Sequence, residues 1–392
     1  MTPDPKTLKG NWNYPARIWF GPGRIAELPA ACRVLGITKP LLVTDPGLAK
    51  LPMIADAVAA LRGDKLGAAL FSDVRPNPVG QNVTAGVEAF KHGRHDGVIA
   101  FGGGSALDIG KAIAFQSGQT RPLWDFEDVG DNWTRANADA IAPTIAVPTT
   151  SGTGSEVGRV SVVTREDTHT KTLIFHPKIQ PALVIADPAL TLALPRTLTA
   201  ATGMDAFAHS LEAYCSPFFH PMADGIALEG IRLVKEWLAK ATKDGTDLAA
   251  RAHMMAASTM GATAFQKGLG AIHSLSHPVG AVYDTHHGMT NAVFMPYVLV
   301  FNRTAIAERI GRLAGYIGLK RASFEGFLDW VLELRAELGV PHTLKDLGVD
   351  DRRFDEIARM ATADPSVGTN PLPLDDRAHR QLLEASYAGR VG

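Results

Sequence analysis

Short apolar runs alternate with stretches of helical spacing through the first half of the chain. Residues 40–44 (PLLVT) form an apolar run closed by Asp45, Pro46 and Gly47, as a buried strand does. Helical spacing follows at 54–61. Leu70, Phe71 and Val74 then predict a short strand ending before Pro76, and 83–92 an amphipathic helix. Residues 97–101 (GVIAF) predict another strand, 106–115 a helix, and 144–147 (TIAV) a further strand. Strands alternating with helices imply a parallel sheet covered on both faces.

The pattern changes near Pro188. From residue 192 onward helical spacing dominates, at 197–214, 223–239, 248–265, 305–313 and 324–338. The expected fold class is therefore α/β plus all-α, with a parallel-sheet domain at 1–190 and an all-helical domain at 191–392. Residues 12–20 (WNYPARIWF) read as a strand with an unpaired partner, the kind of edge that pairs across a dimer.

Composition narrows the class of protein. A chain of 392 residues exceeds one ordinary core, and 46% hydrophobic with 20% charged residues is the balance of a globular enzyme. Lys plus Arg number 39 against 40 Asp plus Glu, so no electrostatic footprint for nucleic acid or a membrane surface exists. The first residues lack the basic-then-apolar layout of a secretory signal, and no apolar run reaches the ~18 residues of a bilayer span. Two cysteines, Cys32 and Cys215, argue against a disulfide framework, so a cytoplasmic enzyme is expected.

Two loops carry nucleotide chemistry. GGGSALDIGK (102–111) follows the strand GVIAF and opens a helix, whose first N–H groups and dipole favour a phosphate. It is neither the G-x-G-x-x-G fingerprint nor a P-loop, because Ala112 stands where the P-loop needs Ser or Thr. Its plain alternative is a tight strand-to-helix turn without a ligand. PTTSGTGSE (148–156) also follows a strand, and two such loops converge on the crevice where open α/β sheets bind ligands. Asp45 ends an earlier strand. An acid there can accept hydrogen bonds from ribose hydroxyls and repel a 2′-phosphate, favouring NAD, or it can simply initiate the turn before Pro46.

The second half carries the sharper chemistry. Asp205 and His209 lie four residues apart in a helical stretch and so share one face. His273, His277, His286 and His287 then fall within a short segment flanked by glycines and apolar residues. Carboxylate plus imidazole is the donor set of catalytic iron, zinc, manganese or cobalt sites. A lone buried histidine is more often a satisfied core residue, but a scatter of surface histidines does not produce this cluster.

GGGSALDIGK, PTTSGTGSE, ATGMDAFAHSLEAY and HSLSHPVGAVYDTHHGMTNA, in this order, resemble the iron-containing (group III) alcohol dehydrogenases over nearly the whole chain. The resemblance implies a Rossmann-like N-terminal domain and a helical C-terminal domain, a dehydroquinate synthase-like fold. It puts the metal ligands on Asp205, His209, His273 and His287, and His277 beside substrate and nicotinamide without binding metal. Phosphate contacts fall on Gly102, Gly103, Gly104, Ser105 and Asp108. Thr149, Thr150 and Lys171 match further cofactor positions, and Asp45 the position that discriminates against NADP. His286 replaces a proline common in the family; Gly288 matches the family's His-Gly pair and favours His287. Lys267 replaces a small residue, so a cationic pocket mouth and an anionic substrate tail (carboxylate, sulfonate or phosphonate) are expected, against the alternative of a solvated lysine at a helix end.

The implied activity is a metal-dependent alcohol dehydrogenase passing hydride between NAD(H) and a small alcohol or aldehyde across the domain cleft, with His277 relaying the alcohol proton. Iron(II) is expected on family grounds, and zinc suits the same donors. A homodimer or higher homo-oligomer is expected. The rivals are a dehydroquinate synthase-like or glycerol dehydrogenase-like enzyme on the same scaffold, and a non-catalytic nucleotide-binding protein.

Overall fold

Residues 40–43, 97–102, 144–148 and 183–186 are buried at every position, and apart from Thr144 they carry no polar side chain on either face. In the computed structural model, which describes residues 17–391 apart from 169, they are the inner strands of one parallel sheet. In chain order the first unit comprises β1 (Arg17–Phe20), α1 (Leu28–Val34), β2 (Pro40–Val43), α2 (Pro52–Gly63), β3 (Ala69–Phe71) and α3 (Gly80–His92). It continues with β4 (Gly97–Gly102), α4 (Gly104–Gln116), β5 (Thr144–Pro148), the antiparallel hairpin β6 (Val160–Arg165) and β7 (Thr170–Phe175), and β8 (Leu183–Ala186). The six-stranded sheet runs β1-β8-β5-β4-β2-β3.

Alternation along the strands feeds two cores. Leu41, Val43 and Val98 pack with Ile109, Ile113 and Phe115 of α4, whereas Leu42, Ile99 and Phe101 pack with Leu28, Ile54 and Leu61 from α1 and α2. From β2 the chain steps to β3 on one side and then to β4 on the other. The loops after β2 and β4 therefore diverge at a topological switch point, where open α/β sheets bind ligands. β1 pairs with β8 in register Arg17↔Leu183 to Phe20↔Ala186, which corrects the expectation that this strand lacks a partner in its own sheet. The remainder of the expected strand, residues 12–16, lies outside the described residues.

A compact unit ending at Ala193 gives way to a second beginning at Leu194. The second holds α5 (Arg196–Cys215), α6 (Pro221–Lys243), α7 (Leu248–Ala264), α8 (Ala271–Tyr283), α9 (His287–Tyr316), α10 (Phe324–Leu338), α11 (Phe354–Ala363) and α12 (Asp376–Ala388). α5 is its buried centre, with sixteen of its 20 residues buried, and packs on α6, α7 and α9. The start of α9 lies so close to α5 that a Cβ on Gly288 would fall 2.2 Å from the Ala201 carbonyl oxygen and 3.0 Å from Asp205 Cβ. Only glycine after His287 permits that approach, and it sets His287 beside Asp205.

Candidate functional site

The helical unit brings four candidate ligands together. Asp205 and His209 project one turn apart from α5, His273 comes from the first turn of α8, and His287 is the first residue of α9. Asp205, His209 and His273 are buried, and His287 is partly exposed. Asp205 Oδ1 lies 3.7 Å from His209 Nε2, 3.9 Å from His273 Nε2 and 3.5 Å from His287 Nε2. Donor–metal bonds of ~2.0–2.2 Å at tetrahedral angles hold ligand atoms roughly 3.3–3.6 Å apart, so the Asp205–imidazole distances fit a small divalent cation with slight contraction. Candidate ligand atoms of Asp205, His273 and His287 all lie within 4.8 Å of one another. His286 is exposed just before α9, and it is His287, not its neighbour, that groups with Asp205 and His273, while His209 meets the cluster through Asp205 Oδ1.

The partners of these ligands carry at most a weak sequence signal, Glu212 and Asn291 lying one helical turn beyond His209 and His287. Glu212, one turn beyond His209 on α5, has Oε2 2.5 Å from His273 Nδ1 and accepts the Ile272 N–H through Oε1 at 2.7 Å. A carboxylate only accepts, so Nδ1 carries the proton and Nε2 keeps its lone pair for a metal. Burial alone would push the His273 imidazole down; Glu212 and Asp205 outweigh it, and the net shift is upward. Asn291, one turn after His287, donates from Nδ2 to Asp205 Oδ1 at 2.8 Å and lies 3.3 and 3.2 Å from Nε2 of His273 and His287. His277, one turn after His273, stacks on His287 with ring centres 5.3 Å apart and 11° between planes. Its Nδ1 lies 2.7 Å from Asp364 Oδ2. Burial raises the Asp364 carboxyl, but His277 and Ser366 overcome this and hold it below the usual carboxylate range.

Lys267 departs from expectation. Its ammonium is buried, 2.5 Å from Asp224 Oδ1 and 3.4 Å from the Tyr214 carbonyl oxygen, with Arg309 on the same carboxylate. Burial depresses its proton affinity while Asp224 opposes the change. This corrects both the cationic pocket mouth and the solvated lysine: the charge is spent on an internal ion pair.

The first unit assembles its loops at the switch point. Thr149 donates its N–H to the Gly102 carbonyl at 3.0 Å, tying the loop after β5 to the end of β4. A Cβ on Gly104 would sit 2.7 Å from Thr153 Oγ1, and one on Gly103 3.4 Å from Thr150 Cγ2, so the two loops touch where α4 begins. Ser105, in that first turn, is partly exposed. Asp45 divides its carboxylate. Oδ1 accepts N–H groups of Gly47 and Leu48 at 2.8 and 2.9 Å, while Oδ2 lies 3.8 Å from where a Gly102 Cβ would be. It is thus both the turn initiator and an acid facing the glycine loop.

Asp108 is corrected from a phosphate contact to an internal strut. Its Oδ1 accepts from Ser155 Oγ at 2.6 Å and pairs with the buried Lys111 ammonium at 3.2 Å. Lys111 donates in turn to the carbonyls of Ser155 and Val160, so helix and loop are bound from beneath. Lys171 lies on β7 opposite Thr164 and is half-buried.

Comparison with known proteins matches residues 15–188 to the family described as iron-containing alcohol dehydrogenase, and residues 199–387 to the C-terminal domain of the Fe-containing alcohol dehydrogenase family. The chain is 39% identical over 383 residues to a 4-hydroxybutyrate dehydrogenase of Cupriavidus necator, covering 95% of this chain and 98% of that one. It is 35% identical to a 1,3-propanediol dehydrogenase of Citrobacter freundii, covering 94% and 96%. The crystal structure of a 1,3-propanediol oxidoreductase superimposes with a TM-score of 0.91 at 34% identity, over 96% of this chain and 99% of that one.

Proposed function

The chain belongs to the iron-containing alcohol dehydrogenase family and is an NAD-dependent alcohol dehydrogenase, and from that premise we propose that its reaction runs on one divalent cation held by Asp205, His209, His273 and His287. The observation that carries this is one buried carboxylate oxygen within 3.9 Å of three imidazole Nε2 atoms. When bound, the cation supplies a Lewis acid for the alcohol oxygen and the nicotinamide a hydride acceptor.

The protein's own residues supply the rest. Asp205 offsets positive charge in an apolar surrounding, and Glu212 keeps the His273 tautomer open toward the centre of the cluster. Gly102, Gly103, Gly104 and Ser105, with Thr149, Thr150 and Lys171, hold the dinucleotide, and Asp45 reads the ribose hydroxyls. Asp108 and Lys111 brace that loop. His277 takes the hydroxyl proton of the alcohol. Family membership favours iron(II), while the donors suit zinc equally.

The substrate is a small alcohol or its aldehyde. A terminal carboxylate is the first tail to test, because the 39%-identical relative is named for 4-hydroxybutyrate. Both cysteines are unbridged, which supports a reducing, cytoplasmic setting, and among the described residues no helix is long and apolar enough to cross a membrane. β1 ends the sheet with Phe20 exposed, which supports a homodimer.

The deciding experiment combines metal analysis of the purified protein with NADH oxidation over a panel of small aldehydes. Stoichiometric iron or zinc, lost together with turnover in Asp205→Ala and His273→Ala, is the expected result. Undiminished turnover by metal-free protein would refute the ligand assignment.

A further inference from the structure

We infer that Asp364 is the positioning residue for His277, fixing the tautomer and ring plane in which that imidazole accepts the substrate's hydroxyl proton. The inference rests on the role proposed for His277.

Asp364 is built into place. It precedes the short 3-10 turn Pro365–Thr369, and its Oδ1 accepts the Ser366 N–H at 2.8 Å, leaving Oδ2 for His277 Nδ1 at 2.7 Å. The segment then runs back along α8. Thr369 Oγ1 donates to the Leu269 carbonyl at 2.5 Å, and Asn370 Oδ1 accepts the Ala271 N–H at 3.1 Å. Asn370 is also clasped to Asn302 of α9 by reciprocal amide bonds of 3.0 and 2.9 Å. The carboxylate is therefore fixed against the same helix that carries His273 and His277. With side chains 10% and 20% exposed, this is not a solvated surface pair.

The chemistry follows from what a carboxylate can do. It accepts and does not donate, so His277 carries its hydrogen on Nδ1 and keeps a lone pair on Nε2. In alcohol oxidation the substrate O–H proton passes to Nε2, the carbinol C–H bond breaks with hydride transfer to the nicotinamide, and aldehyde and NADH result. The imidazolium is balanced by Asp364 and releases its proton to solvent through its exposed edge. Reduction reverses each transfer.

The test is a double-mutant cycle of His277→Ala, Asp364→Asn and the pair, each metal-loaded and saturated with NADH. Asp364→Asn is expected to lower kcat roughly 10- to 1000-fold, with bound metal and the KM for NADH unchanged. The double variant should be no slower than His277→Ala alone, because Asp364 acts through His277. Asp364→Glu, which keeps the charge, should recover part of the loss, and it replaces Asp364→Asn in the cycle if that variant does not fold. In metal-free, 15N-histidine-labelled protein, the Nδ1–H signal absent from His277→Ala should shift in Asp364→Asn. Losses that multiply in the double variant, or wild-type turnover in Asp364→Asn beside a slow His277→Ala, would overturn the positioning role alone. A neutral His277→Ala would overturn the proposed role of His277 and the positioning role with it.

Discussion

Glu212 holds His273 and the helix that carries it with two oxygens of one carboxylate: Oε2 lies 2.5 Å from the ring nitrogen Nδ1, and Oε1 accepts the Ile272 N–H at 2.7 Å. Both partners are donors, and only a carboxylate offers an acceptor to each. In Glu212→Gln one of the two must face the amide NH2, so either the ring turns or the first turn of α8 loses its cap. Such outer partners typically contribute 10- to 100-fold in metal affinity. Glu212→Gln should therefore lose metal to a chelator at roughly 10- to 100-fold lower chelator concentration, with the helical circular dichroism spectrum kept. Wild-type retention of metal would show that the ring needs no such anchor.

Asp45 gives one oxygen to its own turn and the other to the glycine loop. Asp45→Asn separates the two roles, since the amide oxygen can still accept from Gly47 and Leu48 while the charge is gone. A unit charge ~4 Å from a phosphate is worth about 1–4 kcal/mol between water and a protein surface. The ratio of kcat/KM for NADH over NADPH should fall roughly 10-fold or more in this variant, mostly through a gain with NADPH. An unchanged ratio would leave Asp45 as a turn residue only.

What the sequence disclosed depended on whether the chemistry was local. Asp205 and His209 share a helix face at i, i+4, and the glycine loop follows its strand directly, so spacing alone announced both. α8 was hidden because Gly268 and Gly270 precede it and Pro278 sits inside it, which breaks the apolar period. β6 and β7 are faint in the sequence because Ser, Thr, Lys and Arg interrupt their apolar residues, so the alternation of buried and half-buried positions shows only in the folded hairpin. Asn291 and Glu212 did carry a weak signal, one helical turn beyond His287 and His209 respectively. Asp364 carried none: its bond to His277 spans 87 positions and exists only once the segment 364–370 has folded along α8. Lys267 and Asp108 are the reverse case: their place beside functional motifs points outward, whereas the fold turns both charges inward into ion pairs.

Lys267→Met tests that inward use. The Lys267 side chain is fully buried, and Asp224 keeps Arg309 at 3.2 Å after the change. Breaking a buried pair costs ~3–5 kcal/mol when the partner is left alone; with Arg309 remaining, about 1–3 kcal/mol is expected. The thermal midpoint should drop, whereas the relative efficiency on neutral and carboxylate-bearing aldehydes should not move. A selective loss on anionic aldehydes would mean that the lysine reaches substrate after all.

The two thiols give the pH dependence a defined sign. Cys32 and Cys215 are both buried, and burial pushes each from an ordinary value of 9.0 up to about 12, with Asp96 adding to the effect at Cys32. Above the unfolded value the unfolded chain sheds protons that the native thiols keep, so the unfolded state binds fewer protons and stability falls as pH rises. The contribution is fully present below pH 9.0 and is lost progressively between 9.0 and about 12. Between pH 8 and pH 10 each thiol should remove about 1.4 kcal/mol, since the unfolded form gains one decade of ionisation while the native form gains almost none. Urea titrations at the two pH values would measure this as a difference: the pH-dependent loss in wild type should exceed that in Cys215→Ala by this amount. Iodoacetamide at pH 8.5 should alkylate neither cysteine in the native protein and both after unfolding, because the thiolate is the nucleophile. Rapid native labelling at Cys215, or an identical pH slope in Cys215→Ala, would contradict a thiol held neutral by burial.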